Sequence, residues 1–282
     1  MGETLYYQVN PMKKWIKIVL IIILFCVFLF STWQVIDILM EYRKGTQTYE
    51  SLEHYVSIPE TVPQDTVPQK DNPGIPTMET LPEEAESPFP KVNFDALKAI
   101  NEDVIGWIYI PDTRVNYPIV QGENNDQYLY HLLTGEYNSS GSIFLDANVS
   151  ADFSGRNSII YGHNMKNKSM FADTVEYKKQ EFYDAHPTAM LMTPEKNYYV
   201  HLFAGYVTDS WGNSWITSFT DEEFEAWLQN AQDRSRFTSS VTPTVQDKVL
   251  TFSTCTYDTH DARFIVHGIL EEYIPENQMP AG

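Results

Sequence analysis

The stretch 248-KVLTFSTCTYDTHDARFIVHGIL-270 holds two apolar runs of strand length separated by a polar loop. Val, Ile, Phe and Thr fill both runs, and the TYDTHDA between them is turn chemistry, which predicts two adjacent antiparallel strands. Cys255 ends the first run and Arg263 opens the second, so the pairing lets these two residues face each other. A cysteine at the end of a strand has no helix dipole to draw down its thiol pKa. A nucleophile in that place needs a charged neighbour and a base. Arg263 stays charged at any working pH and offers several N–H donors, which suits both a thiolate and an oxyanion.

The base must come from seven histidines. His54 precedes a proline-rich segment and His186 precedes a proline in an acidic stretch. His201 stands mid-strand among apolar neighbours, the setting of a core histidine. His267 shares a face with Arg263 but lies four residues further, about 13 Å along a strand at roughly 3.3 Å per residue. His260 sits in the polar loop beside the cysteine. His163 follows the apolar strand in 157-NSIIYGHNM-165, and strand ends are where barrels expose catalytic groups. On this reading His163 and His260 both stand, with His163 the better placed. The bland alternative treats Cys255 as a small buried hydrophobe in a non-catalytic surface adhesin.

Charge and hydropathy set the location. The chain has 282 residues and a formal charge of −19, which excludes a nucleic-acid binder because phosphate recognition needs clustered Lys and Arg. Residues 18-IVLIIILFCVFLFSTWQVI-36 carry no charge, and about 20 such residues span a bilayer core. Lys13, Lys14 and Lys17 precede them, which places the N-terminus inside and the rest outside. The apolar run exceeds the h-region of a signal peptide and no small-residue cleavage site follows, so an uncleaved anchor is expected. The expected layout is a cytoplasmic segment 1–17, a transmembrane anchor 18–40, an acidic spacer 41–90, a globular domain 91–275 and a tail 276–282. Residues 59–90 hold half of the sixteen prolines and many acids, a composition that cannot bury a core.

Cys26 lies in the apolar run, which leaves Cys255 alone in the exported part, without a partner for a disulfide or a metal site. From residue 91 the pattern becomes globular. Short β-type runs recur at 104–110, 114–120, 142–146, 158–162, 188–192, 198–207, 248–255 and 263–270, with helix-like stretches at 93–101, 125–133, 169–175 and 221–232. Many short strands with turn signals and few helices predict a mainly β fold, a closed or nearly closed barrel with peripheral helices.

The motifs together resemble the sortase family, the surface transpeptidases of Gram-positive bacteria. T251-x-S-T-C255, R263-F-I-V-H-G and Y161-G-H163-N-M carry the resemblance, with the N-terminal anchor. The Y-G-H-N-M form, the helix at 221–232 and 107-WIYIPDTRVNYPIVQG-122 are similar to class B. Phe252 stands where the motif usually has leucine, and Thr256 where some class B members carry an acid.

The resemblance implies an eight-stranded barrel with Cys255 as nucleophile, His163 as general acid/base and Arg263 as stabiliser of substrate and oxyanion. It implies a substrate groove at Asn125, Leu129, Tyr161, Ser253 and Thr254. The implied partners are surface proteins bearing a C-terminal sorting signal and an amine acceptor, from lipid II, a peptidoglycan stem or a pilin lysine. The thioester route needs no cofactor and no metal. A cysteine hydrolase, releasing the acyl group to water, is the nearest competing enzyme.

Overall fold

The computed structural model describes residues 11–59, 87–209, 212–256 and 261–275. The chain divides into two units, residues 1–44 and 45–282. Helix α1 (Pro11–Leu52) makes up the described part of the first. Its side chains from Trp15 to Met40 are apolar and exposed almost throughout, and by length and composition it can cross a membrane.

The last two turns of α1 belong to the second unit, where Tyr49 and Leu52 are buried. The Tyr49 hydroxyl donates to the Gly141 carbonyl at 2.6 Å and shares a 2.9 Å hydrogen bond with the Ser142 hydroxyl. The spacer expected from residue 41 therefore begins as helix with buried anchors. It ends with Phe89 only 1% exposed, its ring 4.6 Å from that of Tyr199 and 5.0 Å from that of Tyr273. Just after each of these anchors comes a short strand, and β1 (Val56–Ser57) pairs antiparallel with β2 (Lys91–Val92). Residues 60–86 of the spacer and the tail 276–282 lie outside the described residues. Helix α2 (Phe94–Ile100) follows, capped by the Asn93 side chain, which accepts from the Ala96 amide.

Eight strands close the barrel: β3 (Val104–Tyr109), β4 (Asn116–Val120), β5 (Ile143–Leu145), β6 (Asn157–Tyr161), β7 (Thr188–Met192), β8 (Asn197–Thr208), β9 (Val249–Cys255) and β10 (Arg263–Glu272). Their order is β10-β8-β7-β3-β4-β5-β6-β9, with β9 returning to β10, so no edge is left unpaired. The β4–β5 and β6–β9 pairs are parallel and the others antiparallel. Every β-type run read from the sequence is one of these strands.

Two helical expectations change. Residues 125–133 form no helix but a string of turns with an isolated bridge between His131 and Tyr137. Their carbonyls are taken by partners outside any helix: Tyr128 accepts from the Ser142 amide and Tyr130 from the Asn138 amide. Residues Phe171–Lys178 form a 3-10 helix, continued by the short α3 (Gln180–Ala185).

Helix α4 (Asp221–Arg234) forms for local reasons. Thr220 and Glu223 make a reciprocal capping box, three acids fill the first turn and Arg234 lies in the last. Phe224, Trp227, Leu228 and Ala231 recur at helical spacing and are buried against Phe203, Tyr206, Val249 and Ile265 of the barrel. Emptying the Phe224 position alone costs about 3–5 kcal/mol.

Under α4 lies His267, fully buried. It is held by the Tyr206 hydroxyl at 2.9 Å and the Thr251 hydroxyl at 2.8 Å, with the Trp227 ring edge-on at 4.8 Å. The core histidine is thus His267. His201, expected in the core, faces outward and meets Glu271 at 2.6 Å. Burial, with the Arg234 cation adding to it, pushes the His267 pKa down to about 3. The unfolded chain takes up a proton near pH 6.5 that the folded chain refuses, so this contribution is complete above that pH and lost as pH falls toward 3. The unfolding free energy should fall between pH 6.5 and 4 by up to about 1.4 kcal/mol per pH unit from this group, as read from denaturation curves. His267→Leu, though less stable at neutral pH, should show a shallower slope; an unchanged slope would contradict the assignment.

Candidate active site

Three adjacent strands build the site, with β9 in the middle. Parallel register sets Asn157, Ile159 and Tyr161 of β6 beside Val249, Thr251 and Ser253 of β9, and the Gly162 amide continues it by donating to the Ser253 carbonyl. Two residues further on each strand stand His163 and Cys255. On the other flank, antiparallel register sets Arg263 of β10 directly opposite Cys255. Strands lie about 4.8 Å apart, so the cysteine sits between the other two, within side-chain reach of both.

Alternation decides which face this row uses. Thr251, Ser253 and Cys255 share one face of β9. Thr251 is covered with His267 beneath α4, and Ser253 accepts from the Trp215 indole N–H at 3.3 Å. Beyond Trp215 the covering layer stops. A groove of about 330 Å³ opens there, lined by His163, Cys255 and Arg263 together with Asn125, Leu129, Tyr161, Ser253 and Thr254. All eight residues singled out in the sequence border this one cavity. Trp215 and Phe144 border it too and carried no signal in the sequence beyond aromatic character.

Electrostatics define the histidine. His163 Nε2 lies 2.8 Å from the Leu129 carbonyl, which can only accept, so that nitrogen carries the proton and Nδ1 is the ring's acceptor. Burial pushes the His163 pKa below 6.5, and the Arg263 cation pushes the same way, while the Leu129 hydrogen bond opposes both. The ring is therefore neutral at neutral pH. The stretch expected as a helix contributes through this carbonyl, because its turns leave the oxygen free to accept.

Arg263 donates from Nη1 to the Asp261 and Ala262 carbonyls at 3.2 and 3.3 Å. These bonds hold one guanidinium nitrogen on the loop backbone, and among the described residues no carboxylate pairs with it. His260 lies outside the described residues.

Beneath the groove lies Asp146, a buried carboxylate at the end of β5 that the sequence reading passed over. Its Oδ2 accepts from Asn125 Nδ2 at 2.9 Å and from the Tyr161 hydroxyl at 2.8 Å, and its Oδ1 accepts from the Asn148 amide and side chain. Asn125 and Tyr161 are thus tied to one anchor. Burial first, and then the Asp146 charge, push the Tyr161 pKa far up, so its phenol remains a hydrogen-bond donor. Thr254, also on the groove, has a buried hydroxyl without a partner among the described residues. Among the described residues no cluster of His, Cys, Asp or Glu could hold a metal ion.

A thiol flanked by a neutral imidazole and a guanidinium can be deprotonated, attack a carbonyl and have the resulting oxyanion stabilised. Ring nitrogen resonances of His163 should report a neutral ring protonated on Nε2 at pH 7. Arg263→Gln should move its pKa upward, because the removed cation disfavours the imidazolium. A charged ring at pH 7, or a downward move, would contradict this electrostatic arrangement.

A family model described as the sortase domain matches residues 108–271. The sortase B of Listeria monocytogenes is 40% identical over 177 residues, covering 62% of this chain and 72% of the relative. A solved Staphylococcus aureus sortase B–substrate complex superposes with a TM-score of 0.61 at 32% identity, covering 64% of this chain and 84% of that one. A sortase B complexed with triglycine gives a TM-score of 0.61 at 32% identity, covering 64% and 85%. The match runs through the barrel from β3 to β10, and by it the chain belongs to the sortase family of cysteine transpeptidases, in its class B.

Proposed function

We propose that Cys255 is the nucleophile of a transpeptidation in which a surface protein's sorting signal is cut and its acyl part passed to an amine. His163 takes the thiol proton at Nδ1. The thiolate attacks the carbonyl of the sorting-signal threonine, and the oxyanion that forms is met by the Arg263 guanidinium. His163 then gives the proton to the departing amine and leaves a thioester on Cys255. An incoming amine attacks the thioester, its proton passes to His163, and the thiol is restored. An amide is exchanged for an amide, so neither ATP nor a metal enters the balance.

The observation that carries this reading is the register of β6, β9 and β10, which sets His163, Cys255 and Arg263 in one row on the groove. Asn125 and Tyr161, both held by Asp146, together with Leu129, Ser253 and Thr254, would line the path of the sorting signal. A substrate complex and a triglycine complex of sortase B relatives support a peptide donor and an amine-bearing second ligand for this chain. The acceptor is lipid II, a peptidoglycan stem or a pilin lysine. The apolar run of α1 and the lysines before that run support a single membrane anchor at 18–40 with the domain from residue 91 outside the cell.

The test is a peptide library presented to the full chain in detergent, with and without an amine, with products read by mass spectrometry. A thiol-dependent product coupled to the amine is expected, absent in Cys255→Ala and His163→Ala. Arg263→Ala should lower the acylation rate about 10²–10³-fold with melting unchanged, and Arg263→Lys should recover part of it, since lysine keeps the charge without the planar fork. Hydrolysis alone at saturating amine would make the chain a cysteine hydrolase, and no thiol-dependent turnover would make it a binding protein.

A further inference from the structure

A second cavity, of about 430 Å³, lies beyond the catalytic row. Met165, two residues after His163, and Thr256, the residue after Cys255, both line it, so it flanks the catalytic row along the chain, on the side away from the donor groove. Its charge is unlike that of the rest of the molecule. Lys166, Lys168 and Lys178 border it against a single acid, Glu176, in a chain of formal charge −19.

The lysines are held in different ways. Lys178 is half-buried, its ammonium 2.8 Å from the Thr256 hydroxyl and over the Phe264 ring. Lys168 lies 3.9 Å from Glu176 and has a φ of +68°, a left-handed conformation that lysine rarely adopts. Lys166 is exposed and makes no ion pair among the described residues.

The amine that leaves in the first step and the amine that enters in the second pass the same histidine, so the acceptor occupies the space beyond it. A bare ammonium would be repelled by three lysines. We propose that this cavity is an acceptor subsite which binds a carboxylate carried by the incoming amine. It follows that acceptors with an anionic group near the amine are preferred over a protein lysine flanked by neutral backbone. This rests on the transpeptidase reading above and names the chemistry of its second substrate.

The experiment compares glycine, diglycine and triglycine with their carboxamides as acceptors, with the full chain in detergent and a fixed donor peptide. At low salt at least one free acid should show a KM, counted as free amine, severalfold below that of its amide. The double variant Lys166→Gln/Lys168→Gln should raise that KM by roughly tenfold while leaving the amide unchanged, two exposed charge pairs being removed. Half-molar salt should erase the difference in the native chain. Acylation by the donor peptide, measured without acceptor, should not change in the variant, because neither lysine lines the donor groove. Amine coupling that ignores both the carboxylate and the lysines would overturn the subsite alone. Acylation without coupling to any amine would overturn the transpeptidase reading, and the subsite with it.

Discussion

The parallel pairing of β6 with β9 is the constraint from which the site follows. Strands paired in parallel need a long crossover, and here it runs from residue 162 to 248 and contains β7, β8 and α4. That distant pairing brings His163 beside Cys255. The tight antiparallel return into β10 then brings Arg263 to the other flank at little cost in loop closure. A slip of one residue in either register would turn the cysteine's neighbours to the opposite face. Barrel closure guards against such a slip, because β9 is paired on both sides and β10 is paired on to β8.

Around this row the protein supplies orientation. The Leu129 carbonyl sets the tautomer of His163, and that carbonyl is in turn held by close packing. Gly141 passes over it with φ of +56°, and a Cβ there would come within 2.5 Å of the Leu129 oxygen. Only glycine fits at that approach. Asp146 does the corresponding work for Asn125 and Tyr161. Asn125 and Tyr161 thereby face the groove with hydrogen bonds already made before any ligand arrives, a preorganised stretch of its wall.

Much of this was legible in the sequence, for identifiable reasons. The eight strands announce themselves because β-branched and aromatic runs between turn residues have few other uses. Cys255 and Arg263 are near neighbours along a hairpin, so their juxtaposition could be read directly. His163 could not be separated from His260 by sequence distance, since what favours it is a pairing across more than eighty residues. Residues 125–133 look helical because their apolar spacing mimics one, yet the partners that claim their carbonyls come from residues 138, 142 and 163. His201 was expected in the core that His267 occupies, because alternation along a long strand gives no sign of which face α4 covers. Tyr49 and Phe89, at the ends of what reads as a spacer, are buried by contacts hidden in a proline-rich composition.

The most direct test of the central claim, that the strand register makes Cys255 an acyl carrier, is intact-protein mass spectrometry of a rapidly quenched mixture of enzyme and donor peptide without amine. The account predicts a mass increase equal to the N-terminal fragment of the donor, mapped to Cys255, labile to hydroxylamine and discharged when amine is added. An adduct on another residue, or full turnover with no adduct and with Cys255→Ala still active, would contradict it.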